Sequence, residues 1–481
     1  MQLDLEKRIK HEEELFRKNK PDDSNLIELS EECLSSNVDQ GAIHTILDMG
    51  HLQNVSSYMH SENLTDKWFN ILLKLIKKSN YHIGHMLNQR SNRYGNDIAF
   101  NIINEGEIKS LSYFTLWSLV KEVGRSLSSL EQDLQKKPII GILSHNQLNF
   151  VLVDLACLAF GHKVVPIPLN ATTEHVSFII EHSEITHLFL GGKKGNDIWN
   201  DINDRSLIKA ISMDEIVRSI KSLDWEQFLE IGDQSIKFDV DKQMSTVSIS
   251  NTQSIMYTSG TTDNPKGIMF NQLNMMSKRF SRALALPEIG SNDIFLCYLP
   301  LYHTFGRYFE MMGSLFWGAT YSFAASPAFN SLLNDFKIIK PTIFISIPKR
   351  WAQLYEMLDS ILDLGSDPKK DISRKLKEIT GGDLKWGLSA AGYLDPDIFT
   401  FFYDQNIKLL SGYGMTEATG GITMTPPEDY QSNSVGKALP GIKLKLEKDG
   451  ELCLKGPYVA EGYFKDDESK VFVDGWFYTE D

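Results

Sequence analysis

Cysteine is scarce. Only Cys33, Cys157, Cys297 and Cys453 occur in 481 residues, and no two stand in a Cys-x-x-Cys pair. That spacing argues against both a zinc-ribbon site and a disulfide framework, and it points to a reducing, cytoplasmic setting. Long apolar runs are also missing. The longest candidate, Phe150 to Phe160, is short and carries Asp154, which excludes it as a spanning helix. The opening residues Met1-Gln2-Leu3-Asp4-Leu5-Glu6-Lys7 contain no apolar core of the kind a signal peptide needs. Positive charge is the minority sign: 49 Lys and Arg stand against 63 Asp and Glu, for a formal net charge of −14. With no dense basic run to offset it, that balance speaks against a nucleic-acid partner. The remaining composition, 42% hydrophobic and 23% charged, is that of an ordinary globular chain long enough for several subdomains.

Against these absences stands one dense loop, Tyr257-Thr258-Ser259-Gly260-Thr261-Thr262-Asp263-Asn264-Pro265-Lys266-Gly267. The residues before it, Ser254 to Tyr257, and after it, Ile268 to Phe270, read as short buried strands, so the loop joins strand to strand. Gly260 and Gly267 allow the backbone to turn amide groups towards an anion. Thr258, Ser259, Thr261 and Thr262 add hydroxyl donors, Pro265 stiffens the tip, and Lys266 adds a point charge. The chemistry is that of a phosphate cradle. It is not a Walker A loop, in which Gly-Lys-Ser/Thr opens a helix; here the order is Lys266-Gly267.

From about residue 80 to 430, short apolar runs alternate with amphipathic segments. Residues 139–143, 163–167 and 186–190 read as strands, and Phe150 to Phe160 and Glu174 to His182 as helices between them, the signature of parallel α/β sheets. A charged stretch over 195–245 reads as an insertion between two such sheets. After Ser434, the alternation Ile442, Leu444, Leu446, then Asp449-Gly450, then Leu452 and Leu454 reads as a hairpin. Ahead of this region, the pairs Glu13/Arg17 and Glu14/Lys18 predict a charged helix. Trp68, Ile71, Leu72, Leu75 and Ile76 form one apolar stripe, which in most proteins docks on the chain itself and otherwise serves a membrane or a partner.

The loop resembles the phosphate loop of the adenylate-forming superfamily: acyl-CoA synthetases, luciferases and peptide-synthetase adenylation domains. Gly412-Tyr413-Gly414-Met415-Thr416-Glu417 resembles that family's adenine and magnesium motif, and Asp474-Gly475-Trp476-Phe477-Tyr478-Thr479-Glu480-Asp481 its ribose-binding end, all three in the family's order. Among subfamilies, the long-chain fatty acyl-CoA synthetases fit best, through Leu299 to Arg307, which is similar to their His-x-Phe-x-Arg segment, and through Ser346 to Trp351. Residues 1–80 read as a helical extension ahead of the resemblance, which implies paired parallel-sheet α/β subdomains over 81–430 and a small distorted β-barrel over 431–481.

The resemblance further implies a two-step reaction. A carboxylate, by subfamily a medium- or long-chain fatty acid, attacks the α-phosphorus of ATP, and a thiol, usually coenzyme A, then takes the acyl group. Crowded negative charge is the physical problem, and cations, hydroxyls and Mg2+ relieve it. On the family pattern, Thr258, Ser259, Gly260, Thr261, Thr262 and Lys266 hold the β- and γ-phosphates, and Glu417 holds Mg2+. Thr416 bonds the α-phosphate. Tyr413, flanked by Gly412, Gly414 and Met415, faces adenine, and Ser389, Ala390, Ala391 and Gly392 line the base edge. Asp481 accepts the ribose hydroxyls, and His303 stands where acyl pocket meets thiol tunnel. Gly392, Gly412 and Gly414 also leave room for an acyl channel.

The family's small C-terminal domain carries a lysine used in adenylation, and residue 481 falls where its hinge begins. The expectation for these 481 residues is therefore nucleotide and acyl-adenylate binding with poor turnover. Smaller departures are Glu480 in place of a glycine, whose charge beside Asp481 is expected to weaken the ribose contact, and Asn271-Gln272 in place of a Thr-His pair. Alternatives left open are a ligase that loads an acyl carrier protein and an inactive adenylate-binding scaffold. A fatty-acid substrate also leaves peripheral membrane contact open.

Overall fold

The strands are short because the runs of β-branched and aromatic residues are short, and parallel pairing buries both of their faces. A computed structural model describes residues 2–481 apart from 19–20, 22–23, 105, 131–136, 203–207, 215–221, 234–237, 259–263, 432 and 467–470. One sheet takes six strands in the order Lys209–Ser212, His187–Leu190, Ile139–Leu143, Lys163–Pro166, Thr252–Thr258 and Lys266–Asn271. All neighbours are parallel except the last pair, which runs antiparallel on either side of the candidate phosphate loop.

The larger sheet has nine strands: Lys437–Ala438, Gly420–Met424, Lys408–Met415, Trp386–Ala390, Ile343–Ser346, Ile294–Cys297, Thr320–Phe323, Ile98–Asn104 and Glu107–Ser112. Its six central strands are parallel, and antiparallel strands close both edges. Helices cover the sheets, giving the α/β class that the alternating pattern predicts.

The predicted hairpin after Ser434 forms. Lys443–Leu446 pairs with Leu452–Lys455, setting Leu444 opposite Leu454 and Leu446 opposite Leu452, and two further strands complete a four-stranded antiparallel sheet.

The apolar run from Phe150 to Phe160 is a core helix, Leu148–Phe160, buried throughout that run and ended by Gly161 in the left-handed region at φ 80°. Its one charge, Asp154, is neutralised internally by Arg307. Nε of Arg307 donates to Asp154 Oδ2 at 2.8 Å, a second nitrogen donates to Oδ1, and Nη1 donates to Ser254 Oγ at 2.6 Å. Among the described residues, no helix is long and apolar enough to cross a membrane.

Residues 195–245 differ from expectation. They are not an insertion between sheets: Lys209–Ser212 pairs in parallel with His187–Leu190 and forms the edge of the six-stranded sheet. Only Ala210 and Ile211 of its four residues are apolar, too few to announce a strand. The helix Trp225–Asp233 packs back on the helix Tyr113–Leu130.

Among the described residues, five α-helices precede residue 80. The first, Gln2–Arg17, carries both expected ion pairs, Arg17 to Glu13 at 2.9 Å and Lys18 to Glu14 at 3.1 Å. In the helix Thr65–Ser79 the whole stripe Trp68, Ile71, Leu72, Leu75 and Ile76 is buried. It packs on the helices Leu26–Ser35, Gln40–Met49 and Gln272–Ala285. The stripe therefore docks on its own chain and is closed to a membrane or a partner.

Candidate active site

Ligand sites in open parallel sheets lie at the carboxyl ends of the strands. There, in the larger sheet, Trp386–Ala390 and Lys408–Met415 run side by side, placing Ser389 opposite Ser411 and Ala390 opposite Gly412. The second strand runs into a single 3-10 turn, Thr416–Ala418. Thr419 at φ 54° and Gly420 at φ 95° then send the chain back antiparallel. Gly414 has a local reason to be glycine: a Cβ there would overlap the Gly420 carbonyl and the Gly421 Cα. Ala391 sits in the left-handed region at φ 64°, a conformation that disfavours an L side chain by about 1 kcal/mol and that the strand-to-loop exit imposes.

A cavity of about 300 Å3 opens at this edge. Nine of the sequence-predicted residues line it: His303, Ala390, Ala391, Gly412, Tyr413, Gly414, Met415, Thr416 and Glu417. His303 leads into a π-helical turn, Phe305–Met311, and its Nδ1 accepts the Phe305 amide at 3.2 Å. The acceptor role leaves the proton of a neutral ring on Nε2, and desolvation by the surrounding protein lowers the imidazole pKa below its usual value.

The other predicted residues that are described are not on the wall of this cavity. Ser389 is buried behind it, and Gly392 lies beside Pro348. Thr258 and Lys266 face each other across the antiparallel pair at the root of the candidate phosphate loop, and Ser259, Gly260, Thr261 and Thr262 lie outside the described residues. Asp481 accepts a hydrogen bond from the Tyr413 hydroxyl, which joins the predicted ribose and adenine residues. Burial and the Asp481 carboxylate push the Tyr413 phenol up.

Two features were not read from the sequence. The first is Tyr463, whose hydroxyl donates to Glu417 Oε1 at 2.9 Å while Lys266 Nζ lies 5.2 Å from its ring centroid. One tyrosine thus links the candidate metal carboxylate to the candidate phosphate lysine. Its position is fixed by backbone bonds from Phe464 to the Gly267 carbonyl at 2.7 Å and from Met269 to the Gly462 carbonyl at 3.1 Å. The Ala460 amide also donates to the Glu417 carbonyl at 2.6 Å. The second is a group of cavity-lining residues outside the motifs: Arg282, Phe309 and Leu388. A period-3.6 pattern marks a buried helix face but not whether that face meets a cavity.

Arg307 and Trp351 have structural partners. Arg307 is the buried counterion of Asp154, and Trp351 is buried with its Nε1 donating to the Leu388 carbonyl at 3.2 Å. Asn271 and Gln272 are framework too. The Asn271 side chain caps the helix Gln272–Ala285, and Gln272 Nε2 donates to the Leu158 carbonyl at 2.7 Å while its Oε1 accepts the Ile83 amide at 3.1 Å. Glu480 sits at φ 62°, in the region a glycine favours.

The AMP-binding enzyme family matches over residues 87–464. A fatty acyl-CoA synthetase A of Dictyostelium discoideum is 30% identical over 435 residues, covering 78% of this chain and 63% of that protein. The chain thus spans less than two thirds of that curated relative's length. Two solved structures share the fold. A Mycobacterium tuberculosis fatty acyl CoA synthetase aligns with TM-score 0.67 at 19% identity, over 83% of this chain and 75% of that one. The o-succinylbenzoate CoA synthetase of Bacillus subtilis, in complex with its acyl-adenylate intermediate, aligns with TM-score 0.64 at 22% identity, over 82% and 74%. The family match spans the strand pair at Lys266, the His303 turn and the Thr416-Glu417 turn alike, and the chain belongs to the AMP-binding enzyme family.

Proposed function

We propose that this chain binds ATP and a carboxylic acid and joins them as an acyl-adenylate, with coenzyme A as the thiol acceptor. The observation that carries the reading is the Lys266–Tyr463–Glu417 link at the edge of a cavity that also holds Tyr413, Thr416 and His303. Lys266 would meet the outer phosphates, and Thr416 the α-phosphate. Glu417 is a suitable Mg2+ ligand, because a hard cation takes one carboxylate together with phosphate oxygens, and its second oxygen is not engaged by Tyr463. Bound there, Mg2+ would offset charge on the phosphates. Neutral His303, which lines the cavity with Nδ1 committed to the Phe305 amide, suits a place beside the incoming acyl group or thiol. Fatty acids are the substrate class supported by the Dictyostelium relative's name. Within this reading, Ala390 and Ala391 edge the base, and Asp481 takes the ribose hydroxyls once Tyr413 yields its bond.

Calorimetric titration of the 481-residue chain with a non-hydrolysable acyl-adenylate analogue is the direct test. Tight binding that rises with acyl length is expected, with Lys266→Ala and Glu417→Ala each weakening Mg-ATP binding by about 10-fold or more, as loss of a charged hydrogen-bonding partner does. Failure of the folded wild-type chain to bind any adenylate would overturn the reading. Acyl transfer to coenzyme A rather than to a carrier protein, read in a turnover assay, decides the acceptor.

A further inference from the structure

The helix Gln272–Ala285 buries three cationic side chains in consecutive turns. Lys278, Arg279 and Arg282 are 0%, 2% and 4% exposed. Among the described residues none of them pairs with a carboxylate. The other fully buried arginines behave differently: Arg307 is matched by Asp154 and Arg90 by Asp48. Lys278 gives its amine to the Gly421 carbonyl and lies 4.0 Å from the Tyr458 ring centroid. Among the described residues, Arg279 leaves Nε and Nη1 without a partner, Arg282 leaves Nε unpartnered, and Nη1 of Arg282 meets the Met424 sulfur at 3.8 Å.

Arg282 alone of the three lines the cavity. Its guanidinium carbon stands 4.1 Å from the centroid of Phe309, stacked on an apolar wall. It reaches the cavity because position 421 is glycine; a Cβ there would overlap Nη2. Burial pushes its pKa down to about 10, so it remains charged at neutral pH. A guanidinium removed from water without a counter-charge is unfavourable, and a site keeps one where a ligand supplies the missing anion. Its immediate neighbours are Phe309, Met424 and Gly421, and it shares the cavity wall with Thr416 and Glu417.

We infer that Arg282 is a specificity-determining residue of the acyl pocket, selecting a carboxylic acid whose chain carries a second anionic group, such as a terminal carboxylate, over a plain hydrocarbon acid. The inference rests on the acyl-adenylate reading and deepens it by naming the substrate class. The planar fork of arginine would hold the distal carboxylate in a bidentate pair, with Phe309 keeping the fork flat.

The test is calorimetry on the 481-residue chain with three probes: AMP, and two non-hydrolysable acyl-adenylate analogues of equal chain length, one ending in a methyl group and one in a carboxylate. The carboxylate-ended analogue is expected to bind about 10-fold or more tightly than the methyl-ended one. Arg282→Gln is expected to abolish that preference, and Arg282→Lys to keep part of it. A wild-type chain that binds the methyl-ended analogue equally well or better overturns the inference, and this arm needs no variant to fold. A preference that survives intact in folded Arg282→Gln overturns it as well, as does an Arg282→Gln chain that loses AMP binding while keeping the preference. Absence of AMP and analogue binding by the folded wild type would instead sink the adenylate reading itself.

Discussion

Tyr463 shows how a single side chain ties two motifs that lie far apart in sequence. Its hydroxyl fixes one oxygen of Glu417, and its ring carries the Lys266 ammonium. Tyr463→Phe keeps the ring and removes only the hydroxyl. A hydrogen bond to a charged acceptor contributes about 1.5 kcal/mol at the low end, which suits a half-buried pair. The expected outcome is roughly 10-fold weaker Mg2+-dependent nucleotide binding with unchanged binding of nucleotide in EDTA, read by titration with and without the metal. Equal loss in both conditions would mean that the tyrosine shapes the pocket rather than the carboxylate. Gly412 to Glu417 and Lys266 were legible in the sequence because their order and residue types are dense with chemistry. Tyr463 was not: its neighbours Gly462 and Phe464 look like any loop, and its meaning arises only when that loop pairs with the strand after Lys266. Arg282 escaped for a similar reason, since a cation on a helix reads as solvated until its face is found buried.

At the level of elements, the helix Thr65–Ser79 explains what the N-terminal region does for the site. Its stripe packs on the helix Gln272–Ala285, which runs on from the strand Lys266–Asn271 and carries Arg282. Phe69 also meets the chain at Gly441, where the last sheet begins; a Cβ on that glycine would collide with its ring. Leu72 is fully buried, so Leu72→Ala should destabilise by about 2–5 kcal/mol. The expected result in urea is a lower unfolding midpoint, with analogue binding by the still-folded fraction kept near wild type, because no stripe residue touches the cavity. A binding loss without a stability loss would contradict this supporting role. The stripe, the hairpin at Asp449-Gly450 and the strands at 139–143 and 163–166 were legible because each repeats a strong period or a turn dipeptide. The edge strand Lys209–Ser212 was not, since an edge strand exposes polar residues and this one has two apolar positions.

Across the whole molecule, burial has been extended to histidine, and that sets a pH limit on stability. His82 is fully buried, donating from Nε2 to the Met244 carbonyl at 3.1 Å and accepting the Gly84 amide on Nδ1 at 3.1 Å. Both ring nitrogens are committed to the neutral tautomer, and protonation of Nδ1 would break the cap that starts the helix Ile83–Tyr94. Desolvation pushes the pKa of His82 down to about 4 and that of buried His162 to about 3. Because the folded pKa values lie below the unfolded value of about 6.5, the unfolded chain takes up protons first as pH falls. The stabilisation from keeping these rings neutral is therefore complete above about pH 6.5 and is lost towards pH 4. The upper limits are about 3 kcal/mol for His82 and about 5 kcal/mol for His162. Chemical denaturation at a series of pH values should show stability flat near pH 7 to 8 and falling with a slope of two protons or more between pH 6 and 4, because burial also lowers His44, His51 and His85. His82→Asn, which can retain the cap through its side-chain oxygen, should remove about one proton from that slope. A wild-type curve that stays flat down to pH 4 would mean that the two histidines gain water or a proton acceptor on folding, and would remove burial as the source of the acid limit.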